Sequence, residues 1–143
     1  EDGILKKTIA PTILKDTIKQ SLKLKIKELS KNLNFYGILA IELFELFDGS
    51  IIFNEIAPRP HNSFHWTIDG CDNSQFDILV RAMCGLPVRD VNSNGKWEMT
   101  NIIGDDVNNL IDIYNNQNFL LHLYGKKNTE PGRKMGHYNK KII

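Results

Sequence analysis

The sequence predicts an α+β fold: an antiparallel sheet with flanking helices over residues 1–87, followed by a small β-rich domain over residues 88–143. Three observations carry this expectation. Asp48-Gly49 separates two apolar runs in the way a two-residue hairpin turn does. Ile18, Leu22, Ile26, Leu29 and Leu33 recur at the spacing of an amphipathic helix. Past Gly85-Leu86-Pro87, where a helix must stop, only short strand-like runs follow.

Taken in order, residues 4–10 are a short apolar segment interrupted by Lys6-Lys7 and closed by Pro11, as suits an edge strand. The helix with the apolar stripe comes next, with Lys19, Lys23, Lys25, Lys27 and Glu28 mostly on its other side. No aromatic residue interleaves with those lysines, so they read as a solvated face and not as a nucleic-acid surface. Residues 37–47 and 51–57 form the two arms of the hairpin. Ser74 can cap a second helix, with Asp77 three residues later and Phe76, Leu79, Val80 and Met83 as its buried face. Residues 91–95 look like a linker, and 97–103, 119–124 and 134–138 are strand candidates, with a helical turn around 107–114.

Composition narrows the function classes. A formal net charge of +1 provides no field to recruit nucleic acid or an anionic membrane. No apolar run approaches the length of a membrane span, and no basic-then-apolar leader is present. Cys71 and Cys84 form no close-spaced metal motif or disulfide framework, which makes a reducing cytoplasm the expected location. The chain opens Glu1-Asp2-Gly3 without a methionine, as expected of a fragment, a processed product or one piece of a longer polypeptide.

The hairpin carries the first candidate site. If Phe47 faces Ser50, counting back in step sets Glu42 directly opposite Glu55 on one face of the sheet. Two carboxylates about 5 Å apart at an effective dielectric near 20 repel by roughly 3 kcal/mol. A hard divalent cation between them reverses that sign, and neighbouring Asn54 can add a neutral oxygen. Glu42, Glu55 and Asn54 are therefore a candidate Mg²⁺ site. The alternative is a solvated face on which both glutamates reach into water, or a bulge that breaks the register.

Two further clusters bear chemistry. After the strand, Pro58-Arg59-Pro60-His61-Asn62-Ser63 turns polar, and Arg59, His61 and Asn62 can converge on a small anion: a bidentate fork with two directional single bonds. The structural alternative is a rigid loop that caps neighbouring helices. His61 and His65 have the spacing of a helical zinc pair, but Pro60 places them in a loop. Between Gly125 and Gly136, Lys126 with Arg133 or Lys134 can neutralise a phosphate; a solvated hairpin tip is the alternative. No residue spacing supports a nucleophilic triad.

With these residues in view, the chain resembles the C-terminal part of the 5-(carboxyamino)imidazole ribonucleotide synthase family, ATP-grasp enzymes of purine biosynthesis. The resemblance rests on Asp2-Gly3-Ile4-Leu5, the run from Asn54 to Ser63, His65-Trp66-Thr67, Ser74-Gln75-Phe76, and Pro131-Gly132-Arg133-Lys134-Met135-Gly136-His137. It runs from Asp2 to about His137. It implies the C-terminal half of an ATP-grasp domain followed by a small β-rich domain, in an ATP-dependent carbon–nitrogen ligase. In such enzymes ATP and bicarbonate give carboxyphosphate, whose carboxyl group passes to the exocyclic amine of aminoimidazole ribonucleotide. Glu42, Asn54 and Glu55 match the family's magnesium and nucleotide ligands; Arg59, His61 and Asn62 match its bicarbonate and carboxyphosphate loop. Lys126 and Arg133 match its contacts to the ribonucleotide phosphate, beside Lys134. The resemblance also implies ATP and Mg²⁺ as cofactors, small-molecule substrates in place of nucleic acid or membrane, a homodimer, and a cytoplasmic location.

Two departures matter. Phe64 stands where the family has glycine, so that the loop either takes another path or closes part of the pocket. The sequence also holds no upstream Gly-rich loop and no N-terminal lobe, and the 143 residues alone are expected to be inactive. The rival readings are a sister ATP-grasp enzyme with another acyl donor and a non-catalytic ATP-grasp-like binding module.

Overall fold

The computed structural model describes residues 3–142; Asp2, the first residue of one resemblance motif, lies outside them. Six strands and four α-helices follow one another: β1 (Lys7–Ala10), α1 (Asp16–Asn32), β2 (Ala40–Glu45), β3 (Ile51–Ala57), α2 (Thr67–Gly70), α3 (Gln75–Met83), β4 (Trp97–Ile103), α4 (Leu110–Asn115), β5 (Leu120–Leu123) and β6 (Lys134–Lys141). Single 3₁₀ turns occupy Asn62–Phe64 and Gly104–Asn109. No helix among the described residues is long and apolar enough to cross a membrane.

These elements form two compact units, and neither is a continuous block of chain. One contains the N-terminal segment through Pro11, Ser63–Ser74, and everything from Val91 onward; the other contains Thr12–Asn62 and Gln75–Asp90. Across the expected boundary near residue 88, β1 pairs with β4 from Lys7↔Thr100 to Ala10↔Trp97. The N-terminal strand therefore belongs to the same sheet as the C-terminal segment.

In that first unit the sheet runs β1-β4-β6-β5, antiparallel throughout, with β1 on the edge as its lysines suggest. Met99 and Ile102 on the central strand β4 are essentially without exposed surface, and Ala10, Trp66 and Trp97 pack with Met99. Residues 91–95 are more than a linker. Ser93 bridges to Cys71, and Asp72 accepts from both the backbone and the side-chain amide of Asn92, at 2.8 and 2.9 Å.

The same unit buries a polar group that the sequence does not announce. His137, on β6, is 1% exposed, stacks on His122 at 4.7 Å, and shares a 2.9 Å hydrogen bond with the Tyr124 hydroxyl. Burial first, and then the neighbouring His122 and His65, push its pKa down to about 3. The unfolded chain takes up this proton near 6.5, the folded chain only near 3, so between those values the unfolded state binds more protons. The stability that His137 contributes is thus complete above pH 6.5 and is lost on acidification toward pH 3. Urea midpoints between pH 7 and 4 are expected to show a slope from this residue approaching 1.4 kcal/mol per pH unit, absent in His137→Gln. A pH-independent midpoint in the wild type over that range removes the assignment.

The second unit contains α1, the β2–β3 hairpin and α3. Ile18, Leu22, Ile26 and Leu29 on α1 face Ile41, Leu43, Ile51 and Phe53 of the hairpin across an apolar groove of about 540 Å³. This is the predicted stripe as far as Leu29; Leu33, its expected last member, caps the helix end and is exposed, and no α1 residue is fully buried. On α3 the expected inner face is corrected. Phe76, Val80 and Met83 are exposed, and the buried positions are Gln75, Ile78 and Ala82. The polar Gln75 side chain turns inward because it has backbone partners there, and the helix rotates with it. The stop comes where predicted: Gly85 has φ +65°, its N–H bonds to Ala82 O, and the Leu86 N–H bonds to Arg81 O at 2.8 Å. That is a Schellman closure.

Candidate functional site

The β2–β3 hairpin pairs Glu42 with Glu55, as the register argument requires, but it reaches this pairing by another route. The turn holds three residues, not two. Leu46 N–H bonds to Ser50 O and Gly49 N–H to Leu46 O, both at 2.9 Å, while the Asp48 carboxylate accepts the Ser50 N–H at 2.8 Å. The Ser50 side chain first, and then this backbone bond, hold the exposed Asp48 carboxyl below its ordinary value. Near the turn, Glu45, Phe44 and Leu43 therefore pair with Ile51, Ile52 and Phe53. A bulge between Glu42 and Leu43 then leaves Asn54 without a partner in the ladder, and the register shifts by one so that Glu42 meets Glu55.

The bulge assembles the site. In a regular strand Asn54 and Glu55 would point to opposite faces. Here Asn54 Nδ2 donates to Glu42 Oε2 at 3.2 Å, which brings three polar side chains to one face. The feature that might have dispersed the cluster is the one that completes it.

The sequence did not place His61 among them. Its ring lies between the two acids, with Nε2 3.1 Å from Glu55 Oε1 and Nδ1 3.4 Å from Glu42 Oε1. One ligand atom from each of Glu42, Glu55 and His61 can be chosen so that all lie within 4.8 Å of one another. His61 is buried, whereas the Glu55 side chain is half exposed. Among the described residues, no lysine or arginine pairs with either glutamate. Sequence reasoning placed His61 in the anion loop because Pro60 separates it from the strand. The link appears only once the chain past Ala57 folds back.

This donor set fits a hard divalent cation. Two carboxylates held in register, an amide that can present its oxygen by rotation, and a compensating charge no stronger than one imidazole leave a surplus of oxygen ligands at one point. Glu42, Glu55 and Asn54 would hold such an ion, with His61 at its border.

Arg59 and Asn62 lie on either side of His61. The Arg59 side chain is exposed and its guanidinium donates to Pro60 O at 3.0 Å, leaving most of its donor fork open. Asn62 opens the 3₁₀ turn that ends at Phe64, whose side chain is 44% exposed.

In the other unit, Lys126, Arg133 and Lys134 are brought together on the β5–β6 connection. Lys126 Nζ donates to Lys134 O at 2.6 Å and sits 5.8 Å from the Tyr124 ring centre. The Arg133 guanidinium donates to Asn128 O and faces Glu130, at 3.3 and 3.4 Å. Lys134 begins β6 opposite Ile103. His65, which the sequence set beside His61, packs here against His137 and Tyr124.

Comparison with known proteins agrees with both halves of the chain. The ATP-grasp domain profile matches residues 1–76, and that of the phosphoribosylaminoimidazole carboxylase C-terminal domain matches 98–140. An N5-carboxyaminoimidazole ribonucleotide synthase of Brucella melitensis is 39% identical over 96% of this chain, which covers 38% of that protein. Its counterpart in Bacillus subtilis is 39% identical over 95% of this chain and 36% of its own length. The crystal structure of N5-carboxyaminoimidazole synthase from Aspergillus clavatus with ADP and 5-aminoimidazole ribonucleotide superposes with a TM-score of 0.87. It is 36% identical and is matched over 99% of this chain and 40% of that one. The chain thus spans little more than a third of each of these two curated relatives.

Proposed function

The chain belongs to the ATP-grasp family, and we propose that it is the C-terminal part of an ATP-dependent ligase that carboxylates 5-aminoimidazole ribonucleotide with bicarbonate. The products are 5-(carboxyamino)imidazole ribonucleotide, ADP and phosphate. The observation that carries this reading is the Glu42–Glu55 pair, set in register with Asn54 on the same face. The relatives named above support it, and one of them was crystallised with ADP and the ribonucleotide.

In this reading Glu42 and Glu55, with Asn54, would hold Mg²⁺, whose charge, when it is bound, would offset that which develops as the terminal phosphoryl group leaves ADP. A bicarbonate oxygen attacks that phosphorus to give carboxyphosphate. The ribonucleotide amine then attacks the carboxyl carbon, and phosphate departs. Arg59 offers its open fork to the anion and Asn62 a single directed bond, while His61, with its ring nitrogens against Glu42 and Glu55, links this anion loop to the acids. Lys126, Arg133 and Lys134 bind the ribonucleotide phosphate as a cationic cradle. The adenine pocket would come from the rest of a longer polypeptide. The free thiols Cys71 and Cys84 suit a reducing cytoplasm.

The test is ADP release by the natural full-length polypeptide. Turnover is expected only with Mg²⁺, bicarbonate and aminoimidazole ribonucleotide together. Release supported by formate in place of bicarbonate would assign a sister activity with another acyl donor. No release from a folded protein would assign a non-catalytic binding module.

A further inference from the structure

Gln75 is the first residue of α3, yet its side chain is 7% exposed. A buried primary amide is tolerated when it is hydrogen-bonded, and here two of its bonds go to one residue. The His61 N–H donates to Gln75 Oε1 at 2.9 Å, and Gln75 Nε2 donates to His61 O at 3.0 Å. Two bonds to the N–H and C=O of a single residue fix both its position and its tilt, as a paired strand does in an antiparallel ladder. The next link is the His61 ring, with one nitrogen against Glu55 and the other against Glu42.

We infer that Gln75 is a positioning residue for the cation site: by clamping the His61 backbone it sets how far the imidazole stands between Glu42 and Glu55, and hence the gap left for a divalent ion. Gln75 acts through the Arg59-Pro60-His61-Asn62 loop, whose His61 backbone it bonds twice. The buried face of α3, Gln75 with Ile78 and Ala82, makes the clamp rigid, because the helix cannot turn without pulling the amide from its partners. This inference rests on reading Glu42 and Glu55 as a divalent-cation site.

The experiment uses the full-length polypeptide with Gln75→Leu and Gln75→Glu. Mn²⁺ is the probe, its free concentration is read by electron paramagnetic resonance, and the histidine ring ¹⁵N shifts are recorded at one pH. Gln75→Glu keeps the volume and, when ionised, sets an acceptor against His61 O where the donor stood, so its effect is not one of lost volume. Both variants are expected to weaken Mn²⁺ binding about tenfold and to move the His61 ring signals, while the other histidine signals stay in place. Unchanged Mn²⁺ affinity and unchanged His61 signals in both folded variants overturn the inference. A wild type that binds no Mn²⁺, and in which Glu55→Gln changes nothing, overturns the cation assignment itself, a failure distinct from that of Gln75.

Discussion

Glu55→Gln in the full-length polypeptide is expected to lower kcat/KM for ATP cleavage by about 10³-fold, with little change in thermal midpoint. The substitution keeps shape and one acceptor oxygen. It removes a full negative charge where Glu42 and Glu55 face each other. At about 1.36 kcal/mol for each tenfold, a loss of 10³ is about 4 kcal/mol of transition-state stabilisation, the scale expected when a metal loses a carboxylate ligand. Stability is spared because the Glu55 side chain is half exposed, and its removal also relieves repulsion with Glu42. If the loss comes from the ion, raising Mg²⁺ recovers part of the rate. A variant that keeps its rate within a few-fold of wild type would take Glu55 out of the site.

The largest effect on stability is expected at Gly136. It lies on β6 opposite Leu123 of β5, and a Cβ added there would stand 2.5 Å from the His122 carbonyl oxygen and 3.2 Å from Leu123 Cα. Those atoms are backbone and cannot rotate away. Gly136→Ala must push β5 from β6, at a cost of about 3 kcal/mol. The β5–β6 connection carries Lys126, Arg133 and Lys134, so the same displacement loosens the proposed phosphate cradle. Urea denaturation of Gly136→Ala beside wild type measures the first effect, and the KM for aminoimidazole ribonucleotide measures the second. A midpoint equal to wild type would show that the strands can separate at no cost.

Much of this was legible in the sequence because the signals were local. The stripe from Ile18 to Leu29 needed only helical period, and Gly85 before Leu86-Pro87 needed only helix-stop chemistry. The sequence also predicts the pairing of Glu42 with Glu55, although it implies a turn one residue shorter than the one observed and an unbroken ladder where the structure has a bulge. The two departures cancel in register. What stayed hidden depends on chain segments far apart in sequence. The pairing of β1 with β4, the inward turn of Gln75 toward His61, and the burial of His137 against Tyr124 and His122 leave no periodic trace. A glutamine at a helix start looks solvated until its backbone partners, fourteen positions back, are known. The observed α3 face differs from the predicted one for that reason: Phe76 and Val80 are more apolar than Gln75, but the inward place goes to the amide that makes two hydrogen bonds to the His61 backbone.

The hairpin between Glu42 and Glu55 could close in two isomeric ways from the same residues. A two-residue tip with an unbroken ladder and a three-residue tip with one bulge consume the same length of chain and deliver the same carboxylate pair. They differ in the fate of Asn54, which faces away in the first and joins the acids in the second. Tip sequence and donor number are therefore exchangeable quantities: strengthening the turn toward a two-residue type would subtract an oxygen from the site. In the proposed cation site, the number of oxygen donors would thus be set at the far end of the hairpin, by Phe47, Asp48 and Gly49, none of which contributes a donor to it.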